Sequence, residues 1–366
     1  MKRPKILLAL MAVVVFTACT RDGETIADAG QEGVTSMTPP ELRLTCSDSP
    51  SATRAGNDVM STQLVSGLQV DVFMRDATDG CVTYPLPVTY TTDGSGKLNY
   101  DDSATRLYWP RLLHSLDIYG VYPSGVVSPS AAFAFNTEYS FTVAADQRTD
   151  ANYIASDLMT GFPSSPTPNV APCTLNQDGD EGTVNLAFTH RLTKIIVNVA
   201  PSEKIQTGEG AVVQADIDYA VISHYNEVTE EYEDIPDTKY ACITLLNVKR
   251  KIPFKVYDAT SNLGTAIVAD DAVSTISVGI GASGTCIIPP QTISAAFIQI
   301  DLMNGENVAE TFYYTPASAL TLDAGKVYTF NVTLDKPNLE VTVNNITPWG
   351  SGESDQTGTA VLQPTE

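Results

Sequence analysis

Val82-Thr83-Tyr84-Pro85-Leu86-Pro87-Val88-Thr89-Tyr90-Thr91-Thr92 places apolar or aromatic side chains at 82, 84, 86, 88 and 90, and Asp93-Gly94-Ser95-Gly96 then leads into Leu98 and Tyr100. A period of two puts every second side chain on one face of an extended strand, and a short Asp/Gly/Ser stretch between two such runs is a hairpin turn. The same period recurs on both sides: Leu68, Val70, Val72 and Met74 before it, Leu116, Ile118 and Tyr122 after it. It returns at Ile195, Val197 and Val199, at Ile298, Ile300 and Leu302, and at Tyr328, Phe330, Val332 and Leu334. Apolar spacing of the kind that makes a long amphipathic helix is hard to find. The 22 prolines and 24 glycines are scattered through the loops, which fits many short strands better than alternating strand and helix units. The expected fold class is all-β.

A chain of 366 residues with 43% apolar content is long enough for about two domains with packed cores. The Pro/Ser-rich segment Phe162-Pro163-Ser164-Ser165-Pro166-Thr167-Pro168 and the acidic turn Asp178-Gly179-Asp180-Glu181-Gly182 come shortly before a new apolar strand at Leu186. The expected organisation is two tandem β-sandwiches, an N-terminal one over residues 41–185 and a C-terminal one over 186–366 that ends in a tail.

The first 18 residues read as an export signal. Met1-Lys2-Arg3-Pro4-Lys5 is a basic head, and Ile6 to Phe16 is an apolar stretch too short to span a bilayer. Thr17-Ala18-Cys19 puts small residues directly before a cysteine, the arrangement a lipoprotein signal peptidase needs for acylation of the thiol. Cys19 is the expected lipidation site, with a plain cleavable signal as the alternative. Two or three acyl chains, at about 0.8 kcal/mol per buried CH₂, give stable membrane anchoring without a protein span. Residues 19–40 are rich in Gly, Asp, Glu, Thr and Pro and read as a flexible tether. Leu42, Leu44 and Cys46 then alternate with polar residues as a short strand, and Ser47 to Gly56 is small and polar, an expected exposed loop.

Charge and composition exclude several functions. Lys and Arg total 21 against 43 Asp and Glu, a net charge of −22. Loss of Lys2, Arg3 and Lys5 with the signal takes it to −25. Such a surface repels phosphate backbones, so nucleic acid is not an expected partner. Cys46, Cys81, Cys173, Cys242 and Cys286 form no CxxC and no zinc-like pairing. Cys81 and Cys286 lie among apolar strand residues, where a cysteine acts as a small hydrophobe. The three histidines, His114, His190 and His224, sit in no HExxH and beside no serine elbow. For His190, entering an apolar strand, a structural hydrogen bond is the simpler role. The acidic run Glu227, Glu230, Glu231, Glu233, Asp234 and Asp237 lacks the glycine and terminal Glu of a Ca²⁺ loop and reads as a solvated insertion. No catalytic residue, metal site or cofactor is expected, and the chain does not read as an enzyme. Tyr108, Trp109, Tyr119 and Tyr122 cluster within a short stretch. Exposed they would make a sugar-stacking platform, and buried they are core; a surface glycan-binding lipoprotein is the alternative reading.

The stretch Leu107-Tyr108-Trp109-Pro110, followed by Leu116-Asp117-Ile118-Tyr119-Gly120-Val121-Tyr122-Pro123, resembles a signature of the fimbrillin family, the Mfa-like subunits of Bacteroides-type, type V, protease-assembled pili. Further matches follow in order: Ser156-Asp157-Leu158-Met159, Phe188-Thr189-His190-Arg191-Leu192-Thr193-Lys194-Ile195, Ile288-Pro289-Pro290-Gln291-Thr292-Ile293, Leu322-Asp323-Ala324-Gly325-Lys326-Val327-Tyr328-Thr329-Phe330 and Ile346-Thr347-Pro348-Trp349-Gly350. The resemblance implies transthyretin-like sandwiches, export as a lipoprotein, a place at the cell surface and then in the fimbrium, and polymerisation after cleavage by an Arg-specific protease. The implied partners are other fimbrial subunits and a host or bacterial surface ligand. Thr53-Arg54-Ala55-Gly56 matches such a cut site, with Arg54 and Ala55 flanking the bond, in the loop already expected to be exposed.

The physics of that process stands independently of the resemblance. Losing the strand that carries Leu42, Leu44 and Cys46 exposes unpaired N–H and C=O groups over an apolar groove, an edge that templates pairing with another chain. Burying about four side chains there stabilises a joint by about 6 to 12 kcal/mol before ordering costs. A structural subunit would most naturally donate from its C-terminal end, whereas a tip or accessory subunit would accept a strand and donate none. Leu339, Val341 and Val343 alternate, and the tail carries Thr359-Ala360-Val361-Leu362-Gln363, with Ala360, Val361 and Leu362 as the candidate donor strand.

Overall fold

The computed structural model describes residues 43–48, 64–76, 87–100, 107, 115–127, 137–163, 169–170, 183–202, 212–226, 231–236, 238–256, 272–334, 339–348 and 357–361. Along the first half of the chain run β1 (Arg43–Asp48), β2 (Gln69–Asp76), β3 (Val88–Thr92), β4 (Leu98–Tyr100), β5 (Ser115–Tyr122), β6 (Glu138–Thr142), helix α1 (Asp150–Ala155), β7 (Met159–Pro163), β8 (Asn169–Val170) and β9 (Thr183–His190). All but β6 and α1 join one sheet in the order β1-β9-β7-β5-β2-β3-β4, with β8 paired to β5. The β3–β4 hairpin turns at Asp93-Gly94-Ser95-Gly96, as its residues predict. Gly94 and Gly96 adopt φ of +79° and +94°, where a side chain is costly.

Alternation sorts this sheet's two faces. Val70, Val72, Met74, Tyr90, Leu98, Ile118, Leu186 and Phe188 share one apolar cluster, while Phe73, Tyr119 and Val121 from the opposite faces of the same strands enter a second. Phe188 of β9 lies across glycines of its neighbours: a Cβ on Gly120 or Gly161 would come within 2.6 or 2.8 Å of its ring. Helix α1, of six residues, is the one α-helix among the described residues, capped by Thr149, whose side chain accepts from the Asn152 N–H.

The second half continues with β10 (Thr193–Pro201), a 3₁₀ turn (Gln214–Asp216), β11 (Val221–Asn226), β12 (Glu231–Pro236), β13 (Lys239–Val248), β14 (Lys251–Lys255), β15 (Ser274–Ile280), β16 (Ser283–Ile288), β17 (Gln291–Ile293), β18 (Ile298–Asn304), β19 (Asn307–Tyr314), β20 (Leu320–Leu322), β21 (Lys326–Leu334), β22 (Leu339–Pro348) and β23 (Thr357–Val361). Two sheets carry most of it, ordered β16-β10-β21-β22-β23 and β15-β13-β18-β19. Their inward residues, among them Ile195, Val197, Ile243, Ile300, Phe330 and Val332, fill the second cluster. Short pairs β11–β12 and β17–β20 complete it, and β6 pairs with β14. Thus Glu231, Glu233 and Asp234 of the acidic run lie in a hairpin strand, and its other members lie outside the described residues. The strand β9 crosses residue 185 and pairs throughout with β7 or β1.

Candidate strand-exchange groove

The strand β1 is an edge element formed by residues far from their partners in sequence. It runs parallel to β9, with Arg43 opposite Thr183, Leu44 opposite Val184, Cys46 opposite Leu186 and Asp48 opposite Phe188. Leu44 and Cys46 are each 3% exposed and point into the cluster that holds Leu64, Leu98, Val184, Leu186 and Phe188. Thr45, between them, donates through Oγ1 to Asn185 Oδ1 at 3.2 Å. On its other side β1 meets the β3–β4 turn. Thr45 bridges Lys97 in antiparallel sense, and the Cys46 N–H donates to the Gly96 carbonyl at 2.8 Å.

Polar clamps set the groove wall and join it to the rest of the fold. His190, at the end of β9, holds Asp157 through Nδ1 at 2.8 Å, both almost wholly buried. Tyr122 donates to the Ile154 carbonyl, and burial with the Asp157 charge nearby pushes its phenol well above the usual range. Arg191 donates to Thr160 Oγ1 and lies 5.5 Å from the centre of the Phe162 ring. Burial lowers its pKa to about 10, so it remains cationic at neutral pH.

Two buried glutamines substitute for missing backbone partners. Gln147 accepts from the Ile287 N–H and donates to the Ile287 carbonyl, each at 2.8 Å. Gln291 accepts from the Lys249 N–H and donates to the carbonyls of Lys249 and Pro289. Tyr328 donates to the Thr321 carbonyl and accepts from the Asp323 N–H, while the Gly325 N–H, at φ +66°, donates to the Leu192 carbonyl. These hydrogen bonds fix the positions of the segments they join.

The structure brings together Leu44 and Cys46 of the strand expected to be displaced; Leu42 lies outside the described residues. Cys19, Arg54, Ala55 and Leu362 lie outside them too, as do the signal at 1–18, the tether at 19–40, Cys81, Cys173, His114 and both tryptophans, Trp109 and Trp349. Ala360 and Val361 fall in β23, which pairs antiparallel with β22 at the end of its sheet: Ala360 opposite Val341, Val361 opposite Glu340. Of the described cysteines, Cys46 is buried, Cys242 is half-buried, and Cys286 is fully buried in the core. Of the aromatic cluster, Tyr119 and Tyr122 are buried, which removes them from any sugar-stacking face. Among the described residues no group of three His, Cys, Asp or Glu side chains could hold a metal ion, and no helix is long and apolar enough to cross a membrane.

Sequence reading missed Gln147, Asn185 and the second face of the turn at Asp93. Gln147 stands alone in a polar stretch, and its partner Ile287 lies 140 residues away, a pairing no local pattern carries. Asn185 carries a faint signal as the polar residue between Val184 and Leu186.

A family model described as fimbrillin-like matches residues 53–349. Among solved structures, a candidate cell adhesion protein from Bacteroides uniformis ATCC 8492 aligns with a TM-score of 0.54 at 17% identity, covering 85% of this chain and 99% of its own. Another candidate cell adhesion protein, from Bacteroides ovatus ATCC 8483, aligns with a TM-score of 0.56 at 15% identity, covering 86% and 99%. At these identities the likeness is one of fold, an all-β sandwich architecture. No curated protein matches the chain by sequence.

Proposed function

We propose that this chain, which belongs to the fimbrillin-like family, is a fimbrial subunit of the cell surface in which β1 is the replaceable strand of an intersubunit joint. In this reading the chain is exported as a lipoprotein acylated at Cys19, held at the outer membrane, and cut after Arg54 by an Arg-specific protease. The cut releases the lipid and β1 together. A donor strand from the next subunit, for which Ala360, Val361 and Leu362 are the candidates, then occupies the groove, and the polymer supports adhesion. The fold divides, in the same proposal, into an N-terminal sandwich over residues 41–185 and a C-terminal one over 186–366 that ends in a tail.

The observation that carries the reading is the way β1 is held. It is an edge strand near the chain's start that buries Leu44 and Cys46 yet has a full ladder on one side only, to β9. Its removal disrupts no interior strand and leaves β9 with an unpaired edge over apolar side chains, the surface that strand addition requires. The candidate donor β23 is likewise an edge strand, paired to β22 alone among the described residues, so it can leave without opening the sheet behind it.

The test is made in cells that assemble the protein. Arg54→Ala and deletion of residues 355–366 are each expected to abolish the high-mass ladder that sheared surface material gives on unheated denaturing gels, with the protein still exported. An undiminished ladder from the deletion would sink the donor assignment, and one from Arg54→Ala would sink the cut site.

A further inference from the structure

The β3–β4 turn is more organised than a hairpin connection requires. Asp93 Oδ1 accepts from the N–H groups of Ser95 at 2.7 Å and Lys97 at 3.0 Å, and Oδ2 accepts from Ser95 Oγ at 2.7 Å. The Asp93 N–H in turn donates to the Lys97 carbonyl. These hydrogen bonds hold the Asp93 carboxyl below its ordinary pKa, the Ser95 side chain first among them. The turn is also fastened from behind. Buried Thr92 accepts from the Leu68 N–H and donates to the Val65 carbonyl, and a Cβ on Gly94 would stand 3.2 Å from Ser66. The segment is thus shaped by its own contacts, and the Gly96 carbonyl it presents is taken by a β1 amide.

We propose that the Asp93–Lys97 turn, on the edge that β9 does not reach, and Asn185, from β9 itself, together make the strand seat selective, reading whichever strand fills the groove from both sides. Gly96 C=O takes the N–H at the place Cys46 occupies, and Asn185 Oδ1 takes a side-chain hydroxyl at the place Thr45 occupies. The best-matched occupant is β1 itself, with Thr45 between inward Leu44 and Cys46; the candidate donor of another subunit, with Val361 between Ala360 and Leu362, can keep the backbone contact to Gly96 and lacks the hydroxyl. Asp93 is a positioning residue, acting through the turn. The inference rests on the proposed exchange of β1 for its bearing on assembly, while its geometry is testable on the intact chain.

Two measurements separate the possibilities, the first on the full-length protein and the second on the cleaved protein. Hydrogen exchange at the Cys46 amide is expected to rise about tenfold in Asp93→Ala, matching the loss of one well-made hydrogen bond, with Ile195 in the C-terminal sheet unchanged. Asp93→Asn, which keeps an acceptor oxygen, is expected to restore part of the protection. Unchanged exchange at Cys46 in Asp93→Ala overturns the latch. After Arg-specific cleavage, a labelled peptide of residues 40–49 is then exchanged into the groove. Thr45→Val in the peptide and Asn185→Ala in the protein are each expected to weaken binding about threefold to tenfold, and together no more than either alone. A peptide that binds equally well in all four combinations overturns the selectivity and leaves the exchange reading standing. Failure of every peptide to enter overturns both.

Discussion

At the scale of single residues, the fold depends on side chains that complete backbone hydrogen bonds across long stretches of chain. Gln147 is the clearest case, because Ile287 has both its N–H and its C=O satisfied by that one amide. Gln147→Leu leaves both groups buried without partners and is expected to cost about 2 to 4 kcal/mol, read as a lower midpoint in urea unfolding. Gly120→Val is expected to be at least as damaging, since Phe188 occupies the space any Cβ would need and close-packed sheets yield little. A milder effect attaches to Asp146, whose bond to Arg148 lowers its carboxyl to about 2. A depressed carboxylate stabilises above its unfolded value near 3.8 and loses that contribution as pH falls toward 2. The pair is substantially solvent-exposed, so Asp146→Asn is expected to cost under about 1 kcal/mol at pH 7 and progressively less as pH falls through about 2. The sequence marked many of these positions without their roles. The runs Phe188-Thr189-His190-Arg191 and Ile288-Pro289-Pro290-Gln291 stood out as family matches, yet that His190 grips Asp157 and Gln291 grips Lys249 depends on partners 33 and 42 residues away.

At the scale of elements, alternation was a faithful guide wherever a strand has one buried face. Val70, Val72 and Met74, Ile195, Val197 and Val199, and Tyr328, Phe330, Val332 and Leu334 are all buried as their period of two requires. Local pattern does not carry pairing. That β1 would lie parallel to β9, about 140 residues downstream, and touch the β3–β4 turn on its other side follows from tertiary packing alone. Strands such as β2 and β5, which bury Phe73 and Tyr119 on the face opposite Val72 and Ile118, also show why an alternating pattern understates burial: aromatic residues sit on both faces. Leu44→Asp puts a charge where the strand is 3% exposed and is expected to expel β1 from the groove. Limited proteolysis should then cut near β1 at a protease concentration that leaves the wild-type chain whole, with the C-terminal sheets still protected.

At the scale of the whole molecule, the two ends of the chain have a common logic. The first described strand, β1, and the last, β23, both lie at the ends of their sheets, so one can be lost and the other given without dismantling a core. An acidic chain at −22 repels its own copies at long range, which favours a joint made by backbone ladder and apolar burial over one made by surface charge. Raising salt to about 1 M, where screening acts within about 3 Å, is therefore expected to leave assembled polymer intact, as checked by its sedimentation. Assembly by strand exchange requires that β1 leave the subunit. N-terminal sequencing of protein sheared from intact cells, set beside the membrane-bound fraction, tests it most directly. Loss of β1 with the lipid predicts a sheared polymer that begins at Ala55 and a membrane fraction that retains precursor beginning at acylated Cys19. Sheared polymer whose subunits still begin at Cys19, with Arg43–Asp48 in place, would contradict it.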